Sequence, residues 1–246
     1  MQKKILALVM ALLLASLALV ACKEDVPPVI NPSQSTDSFE SSGPDLWDSG
    51  KIGESELTWE MYSDGTLYIK GVGDMGELER GEGGSVIQPW YEYMNDPAGD
   101  SITKVVVESG VTSIASAAFS NCVKLQSAEI ASSVTVLPEK CFWYCDALRT
   151  VTAKGVVQIM DNALDSCVKL STVTFSASLE LVGDGAFRNA GTQSQSFSVR
   201  LAGTAEEWDA AKAKMDADEN DELSIWTGNE KLITGLEKVA FVNKEQ

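Results

Sequence analysis

Cysteine is the residue type in this sequence with the widest chemistry, since a thiol can ligate zinc, form a disulfide or carry a covalent group. Cys122, Cys145 and Cys167 recur at nearly equal spacing, and Cys141 comes four residues before the second of them. Equal spacing by one repeat places the three side chains in one column of the core of a repeating structure. We therefore predict buried free thiols. A disulfide between neighbouring repeats is the alternative in an oxidising compartment, and a zinc site is not expected.

The acidic run DADENDE is a second candidate site, because it begins like a calcium loop with Asp216, Asp218 and Asn220 at alternate positions. Asp221 stands where such a loop needs glycine, and Thr227 stands where it needs a bidentate glutamate. The run is therefore predicted to be a solvated acidic turn. We expect neither a metal nor any other cofactor.

Catalysis is not expected from the remaining residue types. The chain contains no histidine, which excludes Ser-His-Asp and Cys-His centres and histidine-ligated metals. No two carboxylates are isolated in a shared apolar setting, as a glycosidase would require. With 19 Lys and Arg against 36 Asp and Glu, the net charge is −17. Nucleic acid, which is rich in phosphate, is therefore an unfavourable partner.

The amino terminus is built like an export signal. A basic start, MQKK, precedes the apolar run 5–20, which is short for a membrane span and ends in Leu-Val-Ala-Cys at Cys22. This ending resembles the lipobox of bacterial lipoproteins, in which the cysteine becomes the first mature residue and carries diacylglycerol. The resemblance implies a signal peptide over 1–21, membrane attachment through lipid on Cys22, and a location at the outer membrane or cell surface. A plain signal peptide, or an anchor helix, that happens to end in cysteine is the alternative.

Two regions precede the repeats described below. Residues 22–50 are rich in Pro, Ser and acidic residues and lack apolar periodicity, which predicts a disordered tether. Within the next region, 51–100, alternating apolar residues flank an Asp-Gly pair at 64–65, which is the signal of a β-hairpin. The glycine-rich stretch 71–86 predicts an exposed loop. The aromatic residues of QPWYEYM are expected to pack on the hairpin and close one end of the following structure.

The segment 101–195 is an internal repeat of 22–23 residues. Its most regular column holds Phe119, Phe142, Leu164 and Phe187, at steps of 23, 22 and 23 residues. An aliphatic residue lies five positions before each of these, and a pattern Leu-x-x-Φ-x-Φ follows three units. The period-two end predicts a short parallel strand, and the helical spacing before the aromatic predicts a short helical or 3-10 turn. Such units bury their apolar side only by stacking, which predicts a solenoid.

The units VTSIASAAFSNCVKLQSAEI and VTVLPEKCFWYCDALRTVTA closely resemble the repeats of the BspA-like, or Treponema-type, bacterial leucine-rich-repeat family. The hairpin segment and the stretch LAGTAEEWDAAKAK resemble the regions that flank those repeats, so the likeness spans about residues 55–245. It implies a leucine-rich-repeat solenoid with an N-terminal β-hairpin cap and an α/β C-terminal cap over 196–246. The sequence departs from the family pattern at Leu164, which replaces Phe, and at Ala190, which replaces Cys.

The C-terminal unit also has signals of its own. Thr204 and Glu207 form a capping box, and Trp208, Ala211 and Met215 follow on one apolar face of a predicted helix. A helix at this position would cover the open core of the last repeat. KVAFVN is predicted to be the last strand.

Outward strand positions form the concave face that any solenoid offers to a ligand. Paired threonines on two neighbouring strands suit an exposed strand and are too few for an ice-like surface. Trp143 and Tyr144 stand where the other units have polar pairs, which indicates either a contact with a protein or glycan or packing against a neighbouring turn. The candidate concave face consists of Lys104, Val106, Ser127, Glu129, Thr150, Thr152, Thr172, Thr174, Ser198 and Arg200.

These features predict a non-catalytic, monomeric lipoprotein of the bacterial cell surface whose solenoid binds a protein or glycan. The family likeness implies adhesion or interaction with a host, by analogy of fold. A structural or envelope-assembly lipoprotein with bacterial partners only is the alternative. The sequence leaves the identity of the ligand open.

Overall fold

The computed structural model describes residues 43–96 and 101–216, together with Asn229, Leu232, 235–236 and 240–242. The predicted signal peptide, Cys22, the tether up to residue 42 and most of the acidic run lie outside the described residues. Within those residues, no helix is both long enough and apolar enough to cross a bilayer.

The described residues form strands and the α-helix Ala205–Asp216, with further α-helical residues at 232 and 235–236, joined by turns and two short 3-10 helices at Glu82–Gly84 and Tyr91–Tyr93. The elements are β1 (Leu46–Lys51), β2 (Thr58–Tyr62), β3 (Thr66–Lys70), β4 (Glu79–Arg80), β5 (Val86–Ile87), β6 (Lys104–Val107), β7 (Ser127–Ile130), β8 (Val136–Leu137), β9 (Thr150–Thr152), β10 (Gln158–Ile159), β11 (Thr172–Ser176), β12 (Leu181–Val182), β13 (Ser198–Ala202), α1 (Ala205–Asp216) and β14 (Ala240–Val242).

A nine-stranded sheet runs the length of the described structure, in the order β1-β2-β3-β6-β7-β9-β11-β13-β14. The first three strands are antiparallel, and from β3 onward every pairing is parallel. The short strands β8, β10 and β12 form a second, parallel sheet. Side chains from both sheets belong to one hydrophobic core. The architecture is the predicted parallel solenoid.

The repeat columns are buried as the sequence predicted. The aromatic column, the aliphatic column five residues before it and the leucine column after it are each at most 5% exposed. Burying an aliphatic or aromatic side chain contributes about 1.5–3 kcal/mol, so each repeat adds several such terms to one shared core. The residues of these columns are Phe119, Phe142, Leu164 and Phe187; Ile114, Leu137, Ile159 and Val182; and Leu125, Leu148 and Leu170.

The turns between the two sheets are not helical, which corrects the expected helical or 3-10 turn. Ala117 and Asn121 have φ of 57° and 61°, and left-handed residues at such short intervals prevent a continuous helix. Their N–H groups bond instead to the next repeat, from Ala117 to the carbonyl of Glu139 at 2.9 Å and from Asn121 to that of Trp143 at 2.7 Å. The same ladder continues through the third and fourth turns.

The N-terminal region contains the predicted hairpin of β2 and β3, and β3 pairs in parallel with β6, the first repeat strand. Residues 46–50, which the sequence assigned to the tether, lie in β1 instead, because the outer edge of β2 offers backbone groups to pair with. The glycine-rich stretch is not wholly loop. It holds β4, paired with β5, and a bridge between Gly73 and Val111.

Side-chain amides from residues 88–95 meet the first turn of the solenoid. In later turns the outward carbonyl groups accept hydrogen bonds from the N–H groups of the preceding turn, but the first turn has no preceding turn. Gln88 Nε2 donates to the carbonyl of Ala117 at 3.0 Å, and Asn95 Nδ2 donates to that of Asn121 at 3.0 Å. These amides therefore supply the donors that another repeat would otherwise provide.

An aromatic stack runs from the same segment into the repeats. The ring of Trp90 lies 5.5 Å from that of Phe119 at an interplanar angle of 21°, and Phe119 lies 5.4 Å from Phe142 at 18°. Leu164 interrupts the stack at the next repeat. The QPWYEYM segment thus closes the first repeat through Trp90. It also packs on the hairpin as predicted, since the ring of Tyr93 lies 6.3 Å from that of Trp59 in β2.

At the other end of the array, a single asparagine bonds the last turn. The Oδ1 atom of Asn229 accepts the N–H of Phe187 at 2.8 Å, and its Nδ2 donates to the carbonyl of Gly183 at 3.1 Å. Asn229 is fully buried. Its side-chain amide therefore pairs with both a donor and an acceptor of the final turn.

The helix α1 starts at the predicted capping box. The backbone N–H of Glu207 donates to Thr204 Oγ1 at 3.2 Å, and the N–H of Thr204 donates to Glu207 Oε2 at 2.9 Å. Trp208 and Ala211 are buried, while the side chain of Met215 lies outside the described residues. The predicted last strand is β14, which pairs in parallel with β13.

Candidate functional site

The outward side of the parallel strands forms a continuous polar surface, which we call the strand face. Its residues align in rows because the parallel strands stay in register: Lys104 pairs with Ser127, Ser127 with Thr150, and Thr150 with Thr172. Inward neighbours along each strand are buried, so alternation turns these side chains outward. The half-buried or exposed members are Lys104, Val106, Ser127, Glu129, Thr150, Thr152, Thr172, Ser198 and Arg200.

Thr174 was predicted to be exposed on this face, but its side chain is buried. It lies in the same row, between Thr152 and Arg200 on the neighbouring strands, but is only 5% exposed. A short side chain flanked on both sides within a row presents little surface. Thr174 therefore offers little area to a partner, although its neighbours in the row remain accessible.

The strand face continues onto the N-terminal hairpin, which sequence reasoning missed. Tyr68 lies in the row of Val106, because β3 pairs in register with β6. The rings of Tyr62 and Tyr68 meet edge to face at 5.4 Å, and Lys70 Nζ lies 5.0 Å from the centroid of the Tyr68 ring. The signal was present in the alternation of TLYIK, but the parallel pairing of a hairpin strand with the first repeat was not foreseen.

Two lysines on the strand face form ion pairs with neighbouring glutamates. Lys104 Nζ lies 2.7 Å from Glu129 Oε1, and Lys70 Nζ lies 2.7 Å from Glu60 Oε2. The hydrogen bond that Lys104 donates to Glu129 raises the pKa of Lys104, so this lysine stays charged throughout the physiological range. Arg200 lies at the far end of the same face and is exposed.

Trp143 and Tyr144 lie on a turn and not on the strand face. Their rings meet edge to face at 4.5 Å, with Trp143 half-buried and Tyr144 45% exposed. Trp143 lines a cavity of about 580 Å³, which we call the turn groove. One wall is the segment 80–95, and the other consists of the first two turns of the solenoid.

Residues 98–201 match the model of the BspA type leucine rich repeat region, in six copies. The repeats are BspA-type leucine-rich repeats. No match was found among curated proteins.

Two solved structures are similar to the chain. One is a leucine-rich repeat protein from Eubacterium ventriosum, at 17% identity and a TM-score of 0.44, with 65% of this chain and 45% of that chain covered. The other is a leucine rich cell surface protein from Faecalibacterium prausnitzii, at 21% identity and a TM-score of 0.40, with 63% and 40% covered. The chain spans less than half the length of either protein.

In these BspA-type repeats the cysteine column is structural. Cys122, Cys141, Cys145 and Cys167 are free and fully buried. The thiols of Cys145 and Cys167 donate to the carbonyls of Phe119 and Phe142 in the preceding repeat, each at 3.1 Å. Burial raises the pKa of all four thiols, that of Cys122 to about 12. The predicted free thiols are present, and within the described residues neither a disulfide nor a metal-ligating cluster involves them.

Proposed function

We propose that this chain is a non-catalytic lipoprotein of the bacterial cell surface whose BspA-type solenoid binds a protein or glycan on the strand face. The observation that carries the proposal is the strand face itself, a row-by-row polar surface on consecutive parallel strands. From β3 to β13 it extends about 24 Å, at about 4.8 Å per strand spacing. A surface of that extent matches a macromolecular ligand better than a small molecule, which favours a concave pocket.

The side chains of the strand face suit recognition by hydrogen bonding. Hydroxyl groups of Ser127, Thr150, Thr152 and Thr172 can each donate and accept. They are held by the backbone ladder, so a ligand would find them already ordered, which reduces the entropic cost of binding. Tyr62 and Tyr68 add aromatic area at the N-terminal end of the face, and tyrosine is enriched among residues that dominate binding energy.

Attachment to the envelope is the second part of the proposal. The lipobox-like ending at Cys22 supports a diacylglycerol anchor, and one lipidated cysteine with more than one acyl chain gives stable membrane attachment. Replacing Cys22 with alanine should abolish incorporation of an alkyne-labelled fatty acid in cells and release the protein from the membrane fraction. Continued labelling of the variant would contradict the anchor at this position.

Direct binding tests the strand face. The chain from residue 23 onward keeps the whole compact unit Ser42–Gln246 and would be tested against immobilised matrix proteins and a glycan array. We expect saturable binding to at least one component. Changing Thr150, Thr152 and Thr172 together to lysine should abolish it, because three long cations would replace the short hydroxyls on adjacent strands.

A matched variant controls for added charge. Thr112, Ser132 and Thr135 are exposed and lie outside the strand face, so changing these three to lysine should leave binding unchanged. Equal loss in both triple variants would point to charge and not to the face. If no matrix protein or glycan binds, and only envelope proteins of the bacterium co-purify, an assembly role would replace adhesion.

A further inference from the structure

The second turn, which forms part of the turn groove, differs from its siblings at residues in the groove and next to it. Lys140 and Tyr144 have φ of 56° and 57°, a left-handed conformation that glycine and asparagine adopt most readily. The equivalent pairs in the other turns are Ala117 and Asn121, Asn162 and Ser166, and Gly185 and Asn189. Tyrosine at such a position is conformationally unfavourable, which is typical of residues retained for a contact with a ligand.

The ring of Tyr144 contacts that of Trp143 edge to face at 4.5 Å. In the other turns the position of Trp143 is occupied by polar residues, Ser120, Asp165 and Arg188. Trp143 therefore puts an aromatic surface into the groove that the fold does not require. Tyr144 does not line the groove itself, but its ring packs against that of Trp143.

The charged residues that line the groove have a positive net charge, whereas the whole chain has a negative net charge. The lining holds two basic residues and one acidic residue, whereas the chain has 19 Lys and Arg against 36 Asp and Glu. Lys140 Nζ pairs with Glu139 at 2.6 Å, so Arg80 provides the surplus positive charge. Among the described residues, the guanidinium donates only to the carbonyl of Gly84, at 3.3 Å.

Polar groups from two sides complete the lining. Ser116 and Asn121 bring a hydroxyl and an amide from the first turn, and Tyr91, which is 67% exposed, brings a second aromatic ring from the opposite wall. Aromatic faces bind the apolar C–H surface of a sugar ring, while hydroxyl and amide groups bond its hydroxyls. A guanidinium binds a carboxylate with two parallel hydrogen bonds.

We propose that the turn groove is a second binding site, separate from the strand face, for a carboxylate-bearing oligosaccharide. Trp143 stacks on a sugar ring, Arg80 binds the carboxylate, and Tyr144 is a positioning residue for Trp143. Charge complementarity favours an acidic ligand. No residue of the strand face lines the groove, so the proposal stands or falls independently of binding there.

The experiment measures binding of a hyaluronan tetrasaccharide, which carries uronate carboxylates, and of neutral chitotetraose, by calorimetry and tryptophan fluorescence on the chain from residue 23 onward. We expect the acidic probe to bind at least about tenfold more tightly than the neutral one, since hydrogen bonds to charged groups are strong enough for such a difference. Binding of neither probe, equal binding of both, or binding of polyglutamate in place of the saccharide would overturn the proposal.

Variants that copy the sibling turns are expected to keep the fold, because those turns already contain the substituted residues. Trp143→Ser reproduces the first turn, and we expect it to weaken the acidic probe about tenfold or more, as loss of a stacking ring does. Arg80→Gln should remove the preference for the acidic probe, whereas Arg149→Gln, at an exposed arginine outside the groove, should not. Unchanged binding in both Trp143→Ser and Arg80→Gln would overturn the assignment.

The role of Tyr144 has its own readout. Tyr144→Asn should weaken the acidic probe and alter the fluorescence response of Trp143, while thermal stability is kept or raised because asparagine favours the left-handed conformation. Tyr144→Phe retains the ring and should rescue both signals. Weak binding by both variants alike would contradict a positioning role through the ring. The lysine triple variant of the strand face should bind the acidic probe as the unmodified chain does.

Discussion

Single residues decide where neighbouring repeats can approach, and Gly155 is the clearest case. A Cβ atom at this position would overlap the backbone of Ser132, in the turn of the preceding repeat. The backbone conformation of Gly155 is not itself left-handed, so the requirement comes from the neighbour. The sequence alone does not reveal this, because the corresponding position in the preceding repeat is Ser133.

Gly155→Ala is expected to destabilise the fold by about 1–3 kcal/mol, because the added methyl group forces two backbones apart. The measurement is chemical denaturation, with midpoint and slope compared to those of the unmodified chain. Gly43→Ala is the control, since nothing lies within 4 Å of a Cβ atom there. A loss in Gly155→Ala no greater than in the control would show that the repeats can move apart at little cost.

The buried thiols give a second prediction at the residue scale. In the native chain from residue 23 onward, Cys122, Cys141, Cys145 and Cys167 should not react with a disulfide reagent at pH 8, because burial excludes the reagent and raises each thiol pKa. All four should react once guanidinium unfolds the protein. Ser132→Cys places a thiol at an exposed position and should react at once in the native state. Rapid native reaction of the original cysteines would contradict their burial.

At the scale of elements, the hairpin of β2 and β3 is linked by a charged pair on the strand face. Hydrogen bonds from Lys70 and Tyr62 lower the pKa of Glu60, and the bond to Glu60 raises the pKa of Lys70. The contribution of Glu60 to stability is therefore present above its ordinary pKa of 4.5 and is lost as the pH falls through the lowered value. That of Lys70 is present below 10.5 and is lost as the pH rises through the raised value.

Lys70→Met should move the pKa of Glu60 back up toward its ordinary value, and carboxyl carbon NMR across an acid titration measures this directly. Lys51→Met, at an exposed lysine in β1, should leave Glu60 titrating as before. A Glu60 midpoint that does not respond to Lys70→Met would mean that the ion pair is not formed in solution.

At the C-terminal end of the array, the side chain of Asn229 bonds the last turn. Asn229→Ala should destabilise the last repeat by about 1–3 kcal/mol, because it leaves the N–H of Phe187 and the carbonyl of Gly183 buried without this partner. Hydrogen exchange of the Phe187 amide should quicken more than that of amides in the first turn. Gln193→Ala, at an exposed side chain, is the control. Exchange that rises uniformly along the chain would show that Asn229 does not act locally.

Sequence reasoning succeeded at elements that repeat and failed at those that occur once. The columns of Phe119 and Leu125 could be found because they recur with apolar side chains at fixed spacing. The edge strand β1 is exposed at nearly every position, so it has no hydrophobic alternation to detect. The turns have side chains at helical spacing, but the left-handed residues such as Asn121 are a property of the backbone. The turn groove depends on segment 80–95 folding beside the second turn, which spacing cannot reveal.

The whole molecule carries a net charge of −17 with a pI near 4.3, which makes self-repulsion a general cost of the folded state. Raising the NaCl concentration from about 10 to about 300 mM at pH 7 should therefore raise the melting temperature, since salt screens repulsion between exposed charges. The same change near pH 4.3 should have a much smaller effect, because the net charge is then close to zero. A melting temperature that falls with salt at pH 7 would show that attractive pairs outweigh the repulsion.

From Ala117 to Ser166, the backbone ladder that joins successive turns runs in one direction. Backbone amides of the first three turns donate to the turn that follows, while Gln88 and Asn95 bond the first turn and Asn229 bonds the last. Each interior turn accepts hydrogen bonds from the turn before it and donates hydrogen bonds to the turn after it. The turn encoded by a duplicated segment of 22 or 23 codons could therefore form the same bonds with both of its neighbours. Gene duplication and loss can therefore lengthen or shorten this array in whole units, with both ends left unchanged. A frame-preserving insertion of half a unit would break the ladder at two places.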